Sequence, residues 1–120
     1  MDTRSKGTEM EKKAEQYLAQ EEVWILAHNF RCRFGEVDLV GKDGDYLVFF
    51  EVKYRSSDQS GDAAEAVNAR KQKKICQVAD FYRGRHVDLA KLSVRFDVLA
   101  IEGEEIRWIK DAFPYQGKGF

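Results

Sequence analysis

The chain has 120 residues, 43% of them hydrophobic and 34% charged, enough apolar matter for one buried core and too little length for two. Twenty basic residues against 21 acidic ones leave a net charge of −1, so nucleic-acid contact would have to come from a locally basic face rather than the whole molecule. The longest run without Asp, Glu, Lys or Arg is residues 23–30, far short of the roughly 18 apolar residues a membrane helix needs.

A single domain over residues 1–120 is therefore predicted, with its core over about 5–110 and a tail over 111–120. Residues 1–13 alternate charges of both signs and carry no apolar segment of the secretory type, which predicts a cytoplasmic location. Cys32 and Cys76 stand outside any CxxC spacing and are expected to be free thiols. Over residues 8–20, Met10, Ala14, Tyr17 and Leu18 recur at i, i+4, i+7 and i+8, an apolar stripe on one face of a helix. Residues 23–30 read as a strand, 31–35 as a turn and 36–40 as a second strand. Gly41-Lys-Asp-Gly-Asp45 carries the Asp-Gly signal of a tight hairpin, so residues 46–54 must be the return strand. Its first half is apolar at every position, as in a strand covered on both faces. Residues 55–62 are loop by composition, and 63–85 return to helical spacing through Val67, Ile75, Val78, Ala79 and Tyr82. Two further strands, 92–101 and 106–109, flank an acidic turn at 102–105. The order helix, three strands, helix, two strands predicts an α/β fold, a central mixed sheet flanked by helices.

The chemistry concentrates on the hairpin. Glu51 and Lys53 are two apart on one strand and therefore share a face with Leu47 and Phe49. With Asp43 and Gly44 as the loop residues, Lys42 pairs with Asp45, Asp38 falls opposite Phe49, and Glu51 is its diagonal neighbour about 7–8 Å away. A one-residue slip or a bulge would send Asp38 to the other face, so the convergence rests on register. Two carboxylates and an ammonium beside Leu47 and Phe49 must be paired with one another or hold a metal. One reading is an ordinary cross-strand ion pair. The other is a site for Mg²⁺ or Mn²⁺, hard cations that take one or two carboxylates plus phosphate oxygens, with phosphodiester hydrolysis as the reaction. Lys53 would then orient the attacking water or stabilise charge on the phosphate.

Gly35-Glu-Val-Asp-Leu-Val40, followed by Leu47-Val-Phe-Phe-Glu-Val-Lys53 and Arg55, resembles the core of the bacterial YraN family of uncharacterised proteins. Ala14, Tyr17-Leu18, Ile25-Leu26, Asn29, Arg31, Glu65-Ala-Val67, Lys71-Gln72 and Arg95-Phe-Asp-Val98 agree in the same order, over about residues 5–101. That family is similar to restriction-endonuclease-like nucleases of the PD-(D/E)xK type, including Holliday-junction resolvases. The resemblance implies Asp38 and Glu51 as metal carboxylates, the Val52 carbonyl and Glu11 as further ligands, Lys53 as the catalytic lysine and Gln72 as a polar residue near the site. Met10 and Glu22 stand where the family usually has glycine. Glu36 also matches the family and falls opposite Glu51 in the expected ladder, with its role open between a peripheral ligand and an outer partner.

Arg55, Arg70, Lys71, Lys73 and Lys74 are the candidate nucleic-acid contacts, although a helical charge run also suits a plain solvated face. The expected activity is Mg²⁺- or Mn²⁺-dependent cutting of DNA, branched or damaged, against the alternative of a nucleic-acid-binding or protein-interaction module on the same fold. Symmetric cutting of a duplex would call for a homodimer.

Overall fold

The structure, a computed structural model, describes residues 3–54 and 67–116. Helix α1 (Thr3–Gln20) leads into strands β1 (Trp24–Cys32), β2 (Gly35–Asp43) and β3 (Tyr46–Tyr54). Helix α2 (Ala69–Arg85), a short 3-10 turn at Leu89–Lys91, and strands β4 (Ser93–Glu102) and β5 (Glu105–Phe113) follow. The strands form one mixed sheet in the order β1-β2-β3-β4-β5. Neighbours are antiparallel except β3 and β4, which run parallel from Tyr46↔Ser93 to Tyr54↔Ile101. A parallel pair cannot be joined by a tight turn, and α2 lies within the crossover that joins this one. The predicted α/β order is the observed one.

Alternation along β3 sends Leu47 and Phe49 to one face and Val48 and Phe50 to the other, and all four are buried. On the first face they join Phe96, Val98 and Ala100 beneath Ile75, Val78, Ala79 and Tyr82 of α2. On the second, Val48, Phe50, Leu39, Leu99 and Ile101 pack under Ala14 and Leu18 of α1. The middle strand is thus covered on both sides, which is why its first half is apolar throughout.

Four sequence expectations need correction. Helix α1 starts at Thr3 rather than residue 8, because residues 3–7 contain no apolar position that could extend the visible stripe. Helix α2 starts at Ala69 rather than residue 63: Asn68 is extended (φ −71°, ψ 170°), and its side-chain oxygen accepts the Lys71 amide at 2.9 Å, a cap that ends the helix there. Residues 63–66 lie outside the described residues. Residues 111–113, expected in a tail, complete β5, where Phe113 stacks on Phe96 with ring centroids 5.0 Å apart.

The fourth correction concerns the hairpin. Asp43 pairs with Tyr46, so Gly44 and Asp45 are the loop residues, and the positive φ of Gly44 (59°) at the first loop position suits a type II′ turn. Asp43 is held in the strand by Arg95, whose Nη2 donates to its Oδ2 at 2.7 Å. The ladder is displaced by two residues, Lys42 pairing with Leu47 instead of Asp45. A two-residue displacement preserves the facing of side chains.

Candidate functional site

The β2–β3 ladder runs from Asp43↔Tyr46 to Leu39↔Phe50. Beyond that pair, the Val52 amide donates to the Asp38 carboxylate at 2.7 Å (Oδ2). Alternation breaks at this point of β2, since Val37 belongs to the α2-side core and Leu39, two residues on, to the α1-side core. Across from Asp38 on β1, between the pairs His28↔Leu39 and Phe30↔Val37, Asn29 has a left-handed backbone (φ 52°). The residue out of phase is Val37, while Asp38 keeps the facing that Leu39 and Val40 set.

Glu51 is the neighbour it meets. The residue is 5% exposed, and its Oε1 lies 3.3 Å from the Lys71 ammonium on α2. Burial first, then a hydrogen bond and the charge of Asp38, push the Glu51 carboxyl up to about 7, against the pull of Lys71 and Lys53. Burial lowers the Lys53 pKa, and the hydrogen bond and charge of Lys71 lower it further, while Glu51 and Asp38 oppose the shift. Burial also works against the Lys71 ammonium, but its hydrogen bond to Lys53 and the attraction of Glu51 and Asp38 outweigh that and raise its pKa. Asp38, Glu51, Lys53 and Lys71 therefore make one electrostatic unit, with Lys71 holding its proton and Lys53 the more ready to be without one. A buried carboxyl that retains a proton near neutrality beside a second carboxylate is short of positive charge, and a divalent cation would supply it. The all-oxygen donor pair suits Mg²⁺ or Mn²⁺.

A model of the uncharacterised protein family UPF0102 matches residues 10–101. The chain belongs to that family. A UPF0102 protein of Lachnoclostridium phytofermentans is 40% identical over 117 residues, covering 98% of this chain and 99% of the relative. One from Nitrosomonas europaea is 42% identical over 113 residues (91% and 93% covered), and one from Aeromonas hydrophila 43% over 110 (91% and 85%). The UPF0102 names specify no reaction, so the chemistry has to be argued from the residues.

Around this UPF0102 quartet the other expected site residues sort by place. Glu11, on α1, accepts a hydrogen bond from the Asn29 side chain at 2.9 Å, so it buttresses the irregular stretch of β1 across from Asp38. Among the described residues, no group of three or more His, Cys, Asp or Glu side chains is arranged to hold a metal, and Glu11 stands apart from the Asp38–Glu51 pair. Val52 joins the site through its amide, and its side chain packs on the α1 side. Gln72 donates to the Val67 carbonyl at 2.8 Å and accepts from the Gln116 side chain at 3.2 Å, fastening the start of α2 to the end of the described chain. Glu36 pairs with Arg31 at 2.8 Å on the surface.

Arg55 lies outside the described residues. Arg70, Lys71 and Lys74 line a cleft of about 520 Å³ with Gly35, Glu36 and Asn68, directly beside Glu51's partner. Lys73 faces away from that cleft, into a separate groove on the outer side of α2, so the basic run divides between two surfaces. Sequence reasoning named Lys71 as a phosphate contact but did not pair it with Glu51, from which it lies 3.3 Å; the i, i+4, i+7 spacing of Lys71, Ile75 and Val78 would have put it on the sheet-facing side. It also missed a second buried charge, Asp97. Fully buried, this carboxylate accepts from Arg95 (Nε at 3.0 Å, Nη2 at 2.9 Å), the Trp108 indole (2.7 Å) and the Asp111 amide (2.9 Å). Charged residues at i and i+2 in the apolar run of β4 were the available signal. Among the described residues, no helix is long and apolar enough to cross a membrane.

Proposed function

We propose that the protein is a divalent-metal-dependent nuclease acting on DNA phosphodiester bonds. The observation that carries this reading is the Asp38–Glu51 pair, with the Glu51 carboxyl raised to about 7 and two lysines beside it. Asp38 and Glu51 would hold Mg²⁺ or Mn²⁺, which would neutralise charge on the scissile phosphate and make an attacking water more acidic. Lys53, its pKa lowered, would take the proton from that water as its oxygen bonds to phosphorus and the bridging ester oxygen departs. Lys71, its pKa raised, would remain an ammonium and stabilise the charge building on the phosphate oxygens. Arg70 and Lys74, lining the same cleft, would hold neighbouring phosphates of the strand. Val52, Glu11 and Gln72 would act through position: the Val52 amide fixes Asp38, Glu11 braces Asn29, and Gln72 anchors the start of α2. Branched or damaged DNA is the proposed substrate class, and cutting both strands of a duplex would need two copies of the chain.

A catalytically silent nucleic-acid-binding module is the second reading, favoured by one observation: Lys71 already pairs with Glu51, which a purely structural ion pair would also do. Calorimetric titration of Mg²⁺ and Mn²⁺ into wild type, Asp38→Asn and Glu51→Gln separates the two, with cleavage of branched, single-stranded and duplex DNA assayed in the same buffers. The nuclease reading expects metal binding and metal-dependent cutting in the wild type, both lost in the variants. Absence of binding and of cutting at millimolar metal would leave the binding module.

A further inference from the structure

The outer side of α2 carries a groove of about 580 Å³ that the proposed metal site does not use. Phe34, from the β1–β2 turn, and Phe81, from α2, stand in it with ring centroids 6.2 Å apart and their planes inclined by 66°. Each ring carries a guanidinium: Arg33 lies 5.0 Å from the Phe34 centroid and Arg85 4.8 Å from that of Phe81. Lys73 adds a third exposed cation. The one acid lining the groove, Asp80, accepts the Tyr115 hydroxyl. Two aromatic faces beneath planar cations, with a net positive rim, match the faces of nucleobases joined by phosphates.

The groove also adjoins the cleft that Lys71 lines. Phe34 precedes Gly35, which lines the cleft, and Lys73 of the groove is followed by Lys74 of the cleft. Lys71 and Phe81 are ten helical residues apart, about 15 Å at 1.5 Å per residue, a span of three or four nucleotides. A duplex keeps its base faces stacked inside, so only an unpaired strand could use these rings. A second copy of the chain fits poorly, because a two-fold contact through this face would set like charges against each other, and interface cores are depleted of lysine.

We infer that the Phe34–Phe81 groove is a stacking platform for an unpaired DNA strand, so that the enzyme's substrate carries single-stranded nucleotides next to the bond to be cut. The inference rests on the nuclease reading for the word substrate but not for the binding itself. Its test is therefore made in EDTA, with a labelled oligothymidylate and a duplex of equal length, by fluorescence anisotropy. Phe34→Ala should weaken oligothymidylate binding about tenfold, the order of one lost base stack, and leave the salt dependence unchanged because no phosphate contact is removed. Phe34→Trp should retain the affinity and show new indole fluorescence that the oligonucleotide quenches. EDTA removes any metal-dependent cutting, so binding read there keeps a failure of catalysis distinct from a failure of the groove. Equal affinity of Phe34→Ala and wild type, or no quenching in a Phe34→Trp variant that binds, would overturn the inference. So would a wild type that ignores the oligonucleotide and forms a dimer that Phe34→Ala splits.

Discussion

Replacing Glu51 with glutamine should make the protein more stable above pH 7. An unfolded glutamate titrates near 4.5, whereas in the fold this carboxyl titrates near 7 because it is buried against Asp38. Between those values the folded chain binds more protons than the unfolded one, so unfolding free energy must fall as pH rises through that window. The displacement corresponds to about 3 kcal/mol fully developed above pH 7. Glutamine has a similar shape and keeps a hydrogen-bonding end but cannot ionise, so Glu51→Gln removes the slope. At pH 8 without metal it should exceed wild type by up to about 3 kcal/mol, roughly 10 °C in Tm for a domain this size. The gain is an upper figure, since Lys71 loses a partner at 3.3 Å. Urea unfolding at pH 5, 6, 7 and 8 in EDTA, followed by tryptophan fluorescence, reads this directly. Saturating Mg²⁺ should then stabilise wild type at pH 8 and leave the variant unmoved. Parallel pH profiles for the two proteins, or a variant weaker than wild type at pH 8, would refute the account of Glu51 as a carboxyl held back from ionising.

Lys71→Met removes a charge that draws the Glu51 pKa down, so the loss of stability should begin at the same pH as in wild type but continue to higher pH and grow larger; a loss that ends where the wild-type one does would show that Lys71 does not set the Glu51 titration. Asp97→Ala should cost about 3–5 kcal/mol in urea unfolding, because it strands the largely buried Arg95 with Asp43 alone and leaves the Trp108 indole and Asp111 amide without their acceptor. A loss below about 1 kcal/mol would mean that water replaces the carboxylate there.

Most of the fold was legible because it depends on periodicity. The doubly apolar Leu47–Val48–Phe49–Phe50 run could only be a strand covered on both sides, and the i, i+2 spacing of Glu51 and Lys53 put them on one face whatever the loop. The placement of Asp38 was legible for a partly wrong reason. The expected hairpin was displaced by two residues, a change of register that leaves facing intact, so Asp38 stayed on the Glu51 face; what went unread is the broken alternation at Val37, beside a left-handed Asn29 on the neighbouring strand. No single-strand pattern encodes such a break. Lys71 was hidden because its role depends on which side of α2 meets the sheet, and residues 63–68 blurred that phase by extending the helical spacing before the Asn68 cap. Asp97 was invisible as a centre because its donors come from β4 and β5, separated by a turn.

The crossover through α2 also orders events in time. Tyr46 finds Asp43 across a two-residue turn but Ser93 only after the whole connection through α2 has closed, and loop-closure entropy penalises the second contact more. The hairpin that juxtaposes Asp38 and Glu51 should therefore assemble before the helix that brings Lys71. Pulsed hydrogen exchange would show β2 and β3 amides protected ahead of those of β4; simultaneous protection would contradict that order. For an interval the nascent sheet then holds two acids with Lys53 as their only ammonium, and a proton or a passing cation must supply the charge that Lys71 later brings.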